Sequence, residues 1–377
     1  MKKCLILIQS IFFAAGMVAF AQNTSPVQDE AAKTWNELEK VHQAFKVPFA
    51  WRNAEPKEEE LSQFQKKVIQ SAYTYSKMAQ DFIKHYPTNE NVHDARIIVV
   101  FALSHAVAAG DTNAEKYISS FVSGILADKS IPENDRVAVF MHSENVNFMK
   151  QVGMKLFTVD SSYLQKDYDT AALEATLKAS KLFPTNGMLY TMLVAIAQRS
   201  PEKQRKELAT TVIDSKGASE EVKNLASHVL VGTEPYEIGK PLDLRFTAID
   251  GREVDLSKLK GKVVLIEFWS ASSRPCVALM PEVRSLYEKL HSRGFEIIGI
   301  SLDSRESVLR NYLKENPLPW PSYFDGRGWQ NKYSLQYGVF TVPAMWVVDR
   351  RGDLQSVDAR KKMEEVVTKF LDEKSSL

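Results

Sequence analysis

From residue 29 to residue 233, apolar side chains recur at intervals of three and four positions, which is the period of an amphipathic helix. Turn-forming runs such as Pro184-Thr185-Asn186-Gly187 separate the periodic stretches. Helices joined by short turns predict an all-helical domain, built either as a bundle or as a short solenoid. The predicted helices cover residues 31–45, 58–86, 92–109, 112–127, 133–152, 162–182, 188–199, 201–214 and 219–231.

Near Thr233 the pattern changes to short apolar runs that alternate with amphipathic helices. Asp250-Gly251 lies between two alternating runs and predicts a β-hairpin. Strand, helix and strand in succession predict an α/β sandwich around a central mixed sheet. The predicted strands after the hairpin cover 263–269, 295–301, 320–324 and 344–349, with a last one after Gly352, and the predicted helices cover 275–291, 306–315 and 361–372.

The first 21 residues have the three parts of a secretory signal. Lys2 and Lys3 form a charged start, residues 5–20 are mostly apolar, and Ala19-Phe20-Ala21 is a small-residue cleavage site. The alternative is an uncleaved membrane anchor. We therefore predict a signal peptide over 1–21, a helical domain over 22–235 and a second domain over 236–377. The protein is expected to be exported, to the periplasm or the outside of the cell.

The composition of the chain argues against several classes of function. The 377-residue chain has 48 Lys and Arg against 47 Asp and Glu, which gives no electrostatic case for binding nucleic acid or an anionic membrane. Membrane contact is expected only if the signal stays uncleaved. We expect no metal and no cofactor, because the histidines of the helical part are scattered and are interpreted as packing or surface residues. They are His42, His85, His93, His105, His142 and His228.

The chain has two cysteines, and Cys4 would be removed with the signal. Cys276 is then the single cysteine of an exported protein, in a compartment where cysteines normally pair. It is either buried and inert or reactive toward a partner. This choice decides which functions are open to the second domain.

The segment Phe268-Trp269-Ser270-Ala271-Ser272-Ser273-Arg274-Pro275-Cys276, followed by Met280-Pro281, resembles the active-site segment of the TlpA-like thioredoxin family. In that family, part of the wider redoxin (AhpC/TSA-like) group, the segment reads aromatic-Trp-Ala-x-Trp-Cys-x-Pro-Cys. Thr341-Val342-Pro343 matches its cis-proline motif. The resemblance covers about residues 237–374 and implies a thioredoxin fold for this part of the chain.

The resemblance assigns roles to individual residues. Ser273 stands where the family has its attacking cysteine, and Cys276 matches the resolving cysteine. Glu267 matches the buried acid behind it, which helps its proton leave. Pro343 matches the cis-proline, and the preceding Val342 presents backbone groups to an extended peptide. Together with Trp269, Val342 and Pro343 are therefore predicted to bind substrate.

A serine cannot form a disulfide, so ordinary dithiol exchange is expected to be lost. The first functional hypothesis is a thiol-disulfide oxidoreductase relative whose remaining redox chemistry depends on Cys276 alone. The alternative is a non-catalytic thioredoxin-fold module that binds a peptide or a protein. A lesser alternative is a one-cysteine peroxidase, because Ser273-x-x-Cys276 imitates the peroxiredoxin motif. Ser273 also has a purely structural interpretation, as a residue whose hydroxyl caps the following helix.

Overall fold

The computed structural model describes residues 26–48, 51, 56–158 and 164–373. The predicted signal peptide lies outside these residues, as does the segment 159–163. The chain divides into two compact units, Met1–Leu189 and Tyr190–Leu377. The predicted domain boundary near residue 235 stays a prediction. No helix in the described part of the chain is long and apolar enough to cross a membrane.

The first unit is helical throughout its described ranges, as the sequence predicts. Two features differ from the prediction. The stretch 31–45 is two helices, because a turn at Glu39 and Lys40 interrupts it, and the short helix Lys155–Thr158 was not predicted. The helices are α1 (Pro26–Leu38), α2 (Val41–Ala44), α3 (Glu58–His85), α4 (Val92–Ala108), α5 (Thr112–Ala127), α6 (Glu133–Val152), α7 (Lys155–Thr158) and α8 (Gln165–Leu182).

Helix α4 lies at the centre of this unit. Apolar residues occur on every side of it, and α3, α5 and α6 pack against it. Ala95, Ile98 and Ala102 are completely buried on α4, and Val68 and Ala72 are completely buried on α3. These apolar contacts make α4 the core of the helical unit.

Three helices cross or follow the division between the units: α9 (Gly187–Ala197), α10 (Glu202–Ile213) and α11 (Glu220–Val231). In the second unit, the side chains of Gln198 and Leu225 come within 3.0 Å and 3.3 Å of the place where a Cβ on Gly338 would stand. Gly338 has a φ of +66°, a conformation that favours glycine, and the neighbouring side chains leave little room for a Cβ atom.

The remainder of the second unit is the predicted α/β sandwich. A small antiparallel hairpin joins β1 (Arg245–Thr247) to β2 (Glu253–Asp255). The main sheet has the order β5-β4-β3-β6-β7; the first three strands run parallel and the last two antiparallel to their neighbours. Its elements are β3 (Val263–Trp269), α12 (Arg274–Leu290), β4 (Phe295–Ser301), α13 (Glu306–Glu315), β5 (Ser322–Tyr323), α14 (Lys332–Tyr337), β6 (Ala344–Val348), β7 (Leu354–Ser356) and α15 (Met363–Asp372).

Both faces of this sheet are covered, so β3 is buried at all seven positions. Successive side chains of a strand point to opposite faces. Val263, Leu265 and Trp269 join the core beneath α12 and α15. Val264, Ile266 and Phe268 join the core beneath the hairpin and α14. The short helix α14 was not predicted from the sequence.

Candidate functional site

The candidate site lies where β3 ends and α12 begins. The apolar run of β3 stops at Trp269, a short polar loop follows, and α12 starts at Arg274 with Pro275 in its first turn. Proline is tolerated there, because the first N–H groups of a helix have no partner within the helix. The predicted strand-to-helix arrangement is therefore present, and it places Cys276 in the first turn of α12.

Cys276 is a free cysteine and its side chain is fully buried. Burial raises the pKa of its thiol to about 12, because a thiolate is poorly solvated in an apolar interior. Hydrogen bonds from the Ser273 side chain and the Ser270 main chain act in the opposite direction, but they do not outweigh burial. At neutral pH the thiol is protonated, and a protonated thiol is a poor nucleophile.

Ser273 is the N-cap residue of α12 and is 6% exposed. The predicted capping role is wrong: its hydroxyl makes no hydrogen bond to the first-turn N–H groups. Its side chain instead acts on the thiol, because it lowers the pKa of Cys276. Ser273 stands one helical turn before Cys276, as the motif implies.

Glu267 is completely buried on β3, between Gly299 of β4 and Met345 of β6. Neither of its carboxylate oxygens has a hydrogen-bond partner among the described residues. Burial raises its pKa to about 8, so the carboxyl is mostly protonated at neutral pH. Its charge, when present, raises the pKa of Cys276.

Trp269 differs from its predicted role in lining a binding surface. Its side chain is 0% exposed, because it packs beneath α12 and against the ring of Tyr312 at 5.4 Å between centroids. Its Nε1 lies 3.1 Å from the place where a Cβ on Gly299 would stand. Trp269 is thus a core residue that fills the space left by a glycine, and the indole does not face solvent.

Val342 and Pro343 form the second loop of the site, and the peptide bond between them is cis, as the resemblance implies. Ala344, the next residue, pairs with Phe268, so this loop lies beside the end of β3. Pro343 is buried and Val342 is half-buried, while Thr341 is exposed. Neither the N–H nor the carbonyl of Val342 hydrogen-bonds another described residue.

Asp303 was missed by the sequence reasoning. It follows β4, is 2% exposed, and its carboxylate accepts hydrogen bonds from the loop between β3 and α12. The sequence did contain a signal for the position of Asp303, because polar residues that follow neighbouring parallel strands meet at one edge of the sheet. Ser270 directly follows β3 and Asp303 comes two residues after Ser301, the last residue of β4.

The structure therefore brings Glu267, Ser273, Cys276 and the Val342–Pro343 loop to one end of the sheet, and adds Asp303. Within the described residues, no group of three or more His, Cys, Asp or Glu side chains is arranged to hold a metal ion. The groups present can bind a peptide main chain or carry a thiol reaction at Cys276. A central mixed sheet, a cis proline and a cysteine in the first turn of the following helix define a protein of the thioredoxin-fold class.

Comparison with known proteins agrees with this class. The model of the AhpC/TSA family matches residues 238–357. The thiol-disulfide oxidoreductase ResA of Bacillus thuringiensis subsp. konkukian is 30% identical over 142 residues, which are 36% of this chain and 80% of that protein. ResA of Bacillus anthracis is 32% identical over 120 residues, which are 32% of this chain and 68% of that protein.

Among solved structures, an uncharacterized thioredoxin-like protein from Bacteroides vulgatus is 31% identical, with a TM-score of 0.33. The match covers 37% of this chain and 93% of that one. The chain belongs to the redoxin family, and its relatives there are thiol-disulfide oxidoreductases.

Proposed function

We propose that this protein is an exported thioredoxin-fold module that binds an extended peptide or protein segment and no longer carries out dithiol exchange. The observation that carries the proposal is the state of Cys276, which is buried, protonated at neutral pH and faced by a serine hydroxyl. A disulfide reductase needs an accessible thiolate to attack its substrate. Ser273 cannot supply one, and Cys276 does not present one.

The Val342–Pro343 loop supports the binding part of the proposal. Val342 is half-buried, and its main-chain N–H and C=O make no hydrogen bond to the described protein. An extended segment that lies along this loop would pair with those groups, as an added strand pairs with a sheet edge. Trp269, being buried, takes no direct part in such binding.

Photo-crosslinking tests the groove. A benzophenone side chain is placed at Thr341, next to Val342, and in a control variant at Arg351, which is also exposed to solvent. Arg351 lies beyond the opposite end of β6, since Val348 pairs with Val264. The probe is a tryptic digest of a reduced and alkylated globular protein. We expect peptide adducts at position 341 in clear excess over position 351. Equal labelling at the two positions would contradict the groove.

Export is the second part of the proposal, and it is supported by the order of charged, apolar and small residues over 1–21. Intact-mass measurement of the protein from a secretion-competent bacterial host tests it. We expect a mature chain that begins at Gln22 and is recovered with the periplasmic or extracellular fraction. A full-length chain retained in the cytoplasm would contradict export.

Glu267 favours a second candidate, a redox protein that uses Cys276 alone. A buried carboxyl without a hydrogen-bond partner is costly, and the ionised form of Glu267, a minority at neutral pH, is the form that can accept a proton from the thiol it influences. Oxidation of such a thiol by peroxide would give a sulfenic acid and water. Trapping with dimedone after mild peroxide treatment of the folded protein distinguishes the candidates, with Cys276→Ser as the control. Rapid adduct formation at Cys276 would favour the redox protein, whereas no adduct is expected of the binding module.

A further inference from the structure

A buried carboxylate holds together the loop in front of α12. The two oxygens of Asp303 accept five hydrogen bonds, from the Ser270 hydroxyl at 2.7 Å, the Ala271 N–H at 2.9 Å, the Ser272 N–H and hydroxyl at 3.2 and 3.1 Å, and the Ser301 hydroxyl at 2.8 Å. An ionised carboxylate can accept all five, because it has two oxygens and about four lone-pair sites that may each be shared. The loop Ser270–Ser272 is thereby fixed to the end of β4.

This loop shares a buried cluster with the thiol. Ala271 and Cys276 belong to the same hydrophobic core, and the N–H of Ser273 donates to the Ser270 carbonyl at 3.1 Å. The loop therefore links Asp303 on one side to the surroundings of the sulfur and to the N-cap of α12 on the other. If Ser270 moves, both the cover of the thiol and the position of Ser273 change.

We propose that Asp303 is the positioning residue of this site, which keeps the loop Ser270–Ser272 closed over Cys276. It acts on Cys276 through Ser270 and through its charge. Burial is the main cause that raises the pKa of Cys276, and the Asp303 charge adds to it. The inference rests on the proposed function, since a closed loop matters only where the thiol is meant to be shielded.

The chain offers a matched control in Asp349. It is 5% exposed and also holds a turn, through the N–H groups of Arg351 and Asp353 at 2.9 and 3.1 Å. Its turn follows β6 at the end opposite to the site, because Val348 pairs with Val264 and Ala344 with Phe268. An Asp349→Asn substitution thus damages a comparable carboxylate network in the same unit without touching the loop.

The experiment measures the rate at which iodoacetamide alkylates Cys276 in the folded full-length protein, at several urea concentrations below the unfolding transition. A thiol that is exposed only by global unfolding reacts at a rate that rises steeply with urea, and one exposed by local opening reacts at a rate nearly independent of urea. An asparagine keeps the shape of Asp303 but leaves loop donors without an acceptor, so Asp303→Asn should raise alkylation by roughly tenfold or more with little urea dependence.

Asp349→Asn should raise alkylation only as far as it lowers global stability, with the steep urea dependence retained. The proposal is overturned if Asp303→Asn shows that same steep dependence. If Asp303→Asn does not fold, Ser270→Ala, which removes the 2.7 Å link to Asp303 and the 3.1 Å contact from the Ser272 N–H within the loop, should give the same shallow dependence, and a steep one again overturns the proposal. Fast alkylation of the wild-type protein would instead contradict the proposed function, and the ratio between the two variants would still test Asp303.

Discussion

Apart from tyrosines, the two compact units differ in the groups whose pKa burial shifts most, two histidines in the first and a carboxyl and a thiol in the second. In the helical unit, burial lowers the pKa of His105 and of His142 to about 4. In the thioredoxin-fold unit, burial raises the pKa of Glu267 to about 8 and that of Cys276 to about 12. All four groups are neutral at pH 7, because burial disfavours the charged form of each.

The buried groups differ in how well the surrounding structure accounts for them. His105 stacks on Phe45 at 4.2 Å between ring centroids, and its Nδ1 contacts the Phe101 carbonyl at 2.9 Å. Packing explains such a residue fully. Glu267 has no hydrogen-bond partner among the described residues, so packing does not explain it. The contrast indicates that the second unit retains a group suited to thiol chemistry although the attacking cysteine is absent.

The largest expected effect concerns Glu267. Its folded pKa of about 8 lies above the ordinary value of 4.5, so the folded state holds a proton that the unfolded state has lost. Stability therefore falls as pH rises from about 4.5 to about 8, by up to about 5 kcal/mol. Glu267→Gln, which cannot ionise, should abolish this fall.

Amide hydrogen exchange of β3 peptides between pH 5 and pH 9, corrected for the intrinsic effect of pH on exchange, measures the fall within the second unit alone. The same comparison of wild type with Glu267→Gln in peptides of α4 is the internal control, because the pH dependence of the other unit should not change with this substitution. Equal pH dependence of β3 in the wild type and in Glu267→Gln would show that Glu267 is ionised in the folded protein, contrary to this account.

In the helical unit the sign is reversed. A histidine whose folded pKa is about 4 instead of 6.5 is protonated first in the unfolded chain, so stability is lost as pH falls from about 6.5 to 4. His105 alone accounts for about 3 kcal/mol at pH 4. His105→Phe keeps an aromatic ring against Phe45 and should reduce the acid sensitivity of α4 exchange by that amount. An unchanged acid sensitivity would mean that other groups cause it.

A smaller effect is expected from removing one helix cap in each unit. Asp111 caps α5 by accepting from the Asn113 N–H at 2.9 Å, and it also accepts from the Tyr73 hydroxyl at 2.7 Å. Ser219 caps α11 through a longer contact of 3.4 Å to the Val222 N–H. We expect Asp111→Ala to cost about 2 kcal/mol and Ser219→Ala about 0.5 kcal/mol in urea unfolding. The reverse order would show that cap distance does not govern the loss.

Much of the fold could be predicted because the signals were local. Apart from the first helix, hydrophobic period and turn residues placed the long helices of both units and the strands β3 and β4 to within three residues. The split of the first predicted helix at Glu39 was not predicted, since residues 31–45 show no proline or glycine. The short helix α14 is too brief to show a period.

The site was predicted in its motif residues and missed in its supporting ones. Burial of Cys276 and Glu267 and the cis bond before Pro343 followed from the resemblance. The burial of Trp269 depends on the glycine at 299, on the neighbouring strand, which no local pattern reveals. The role of Asp303 depends likewise on which strand lies beside β3.

The central claim is that the chain has lost its attacking thiol while the rest of the site remains in place. The most direct test is the catalysis of insulin disulfide reduction by dithiothreitol, measured for the wild type, Ser273→Cys and Cys276→Ser. The account predicts no catalysis by the wild type beyond that of Cys276→Ser, and a clear gain for Ser273→Cys. Catalysis by the wild type that is lost in Cys276→Ser would contradict the claim, and a silent Ser273→Cys would contradict the intact site.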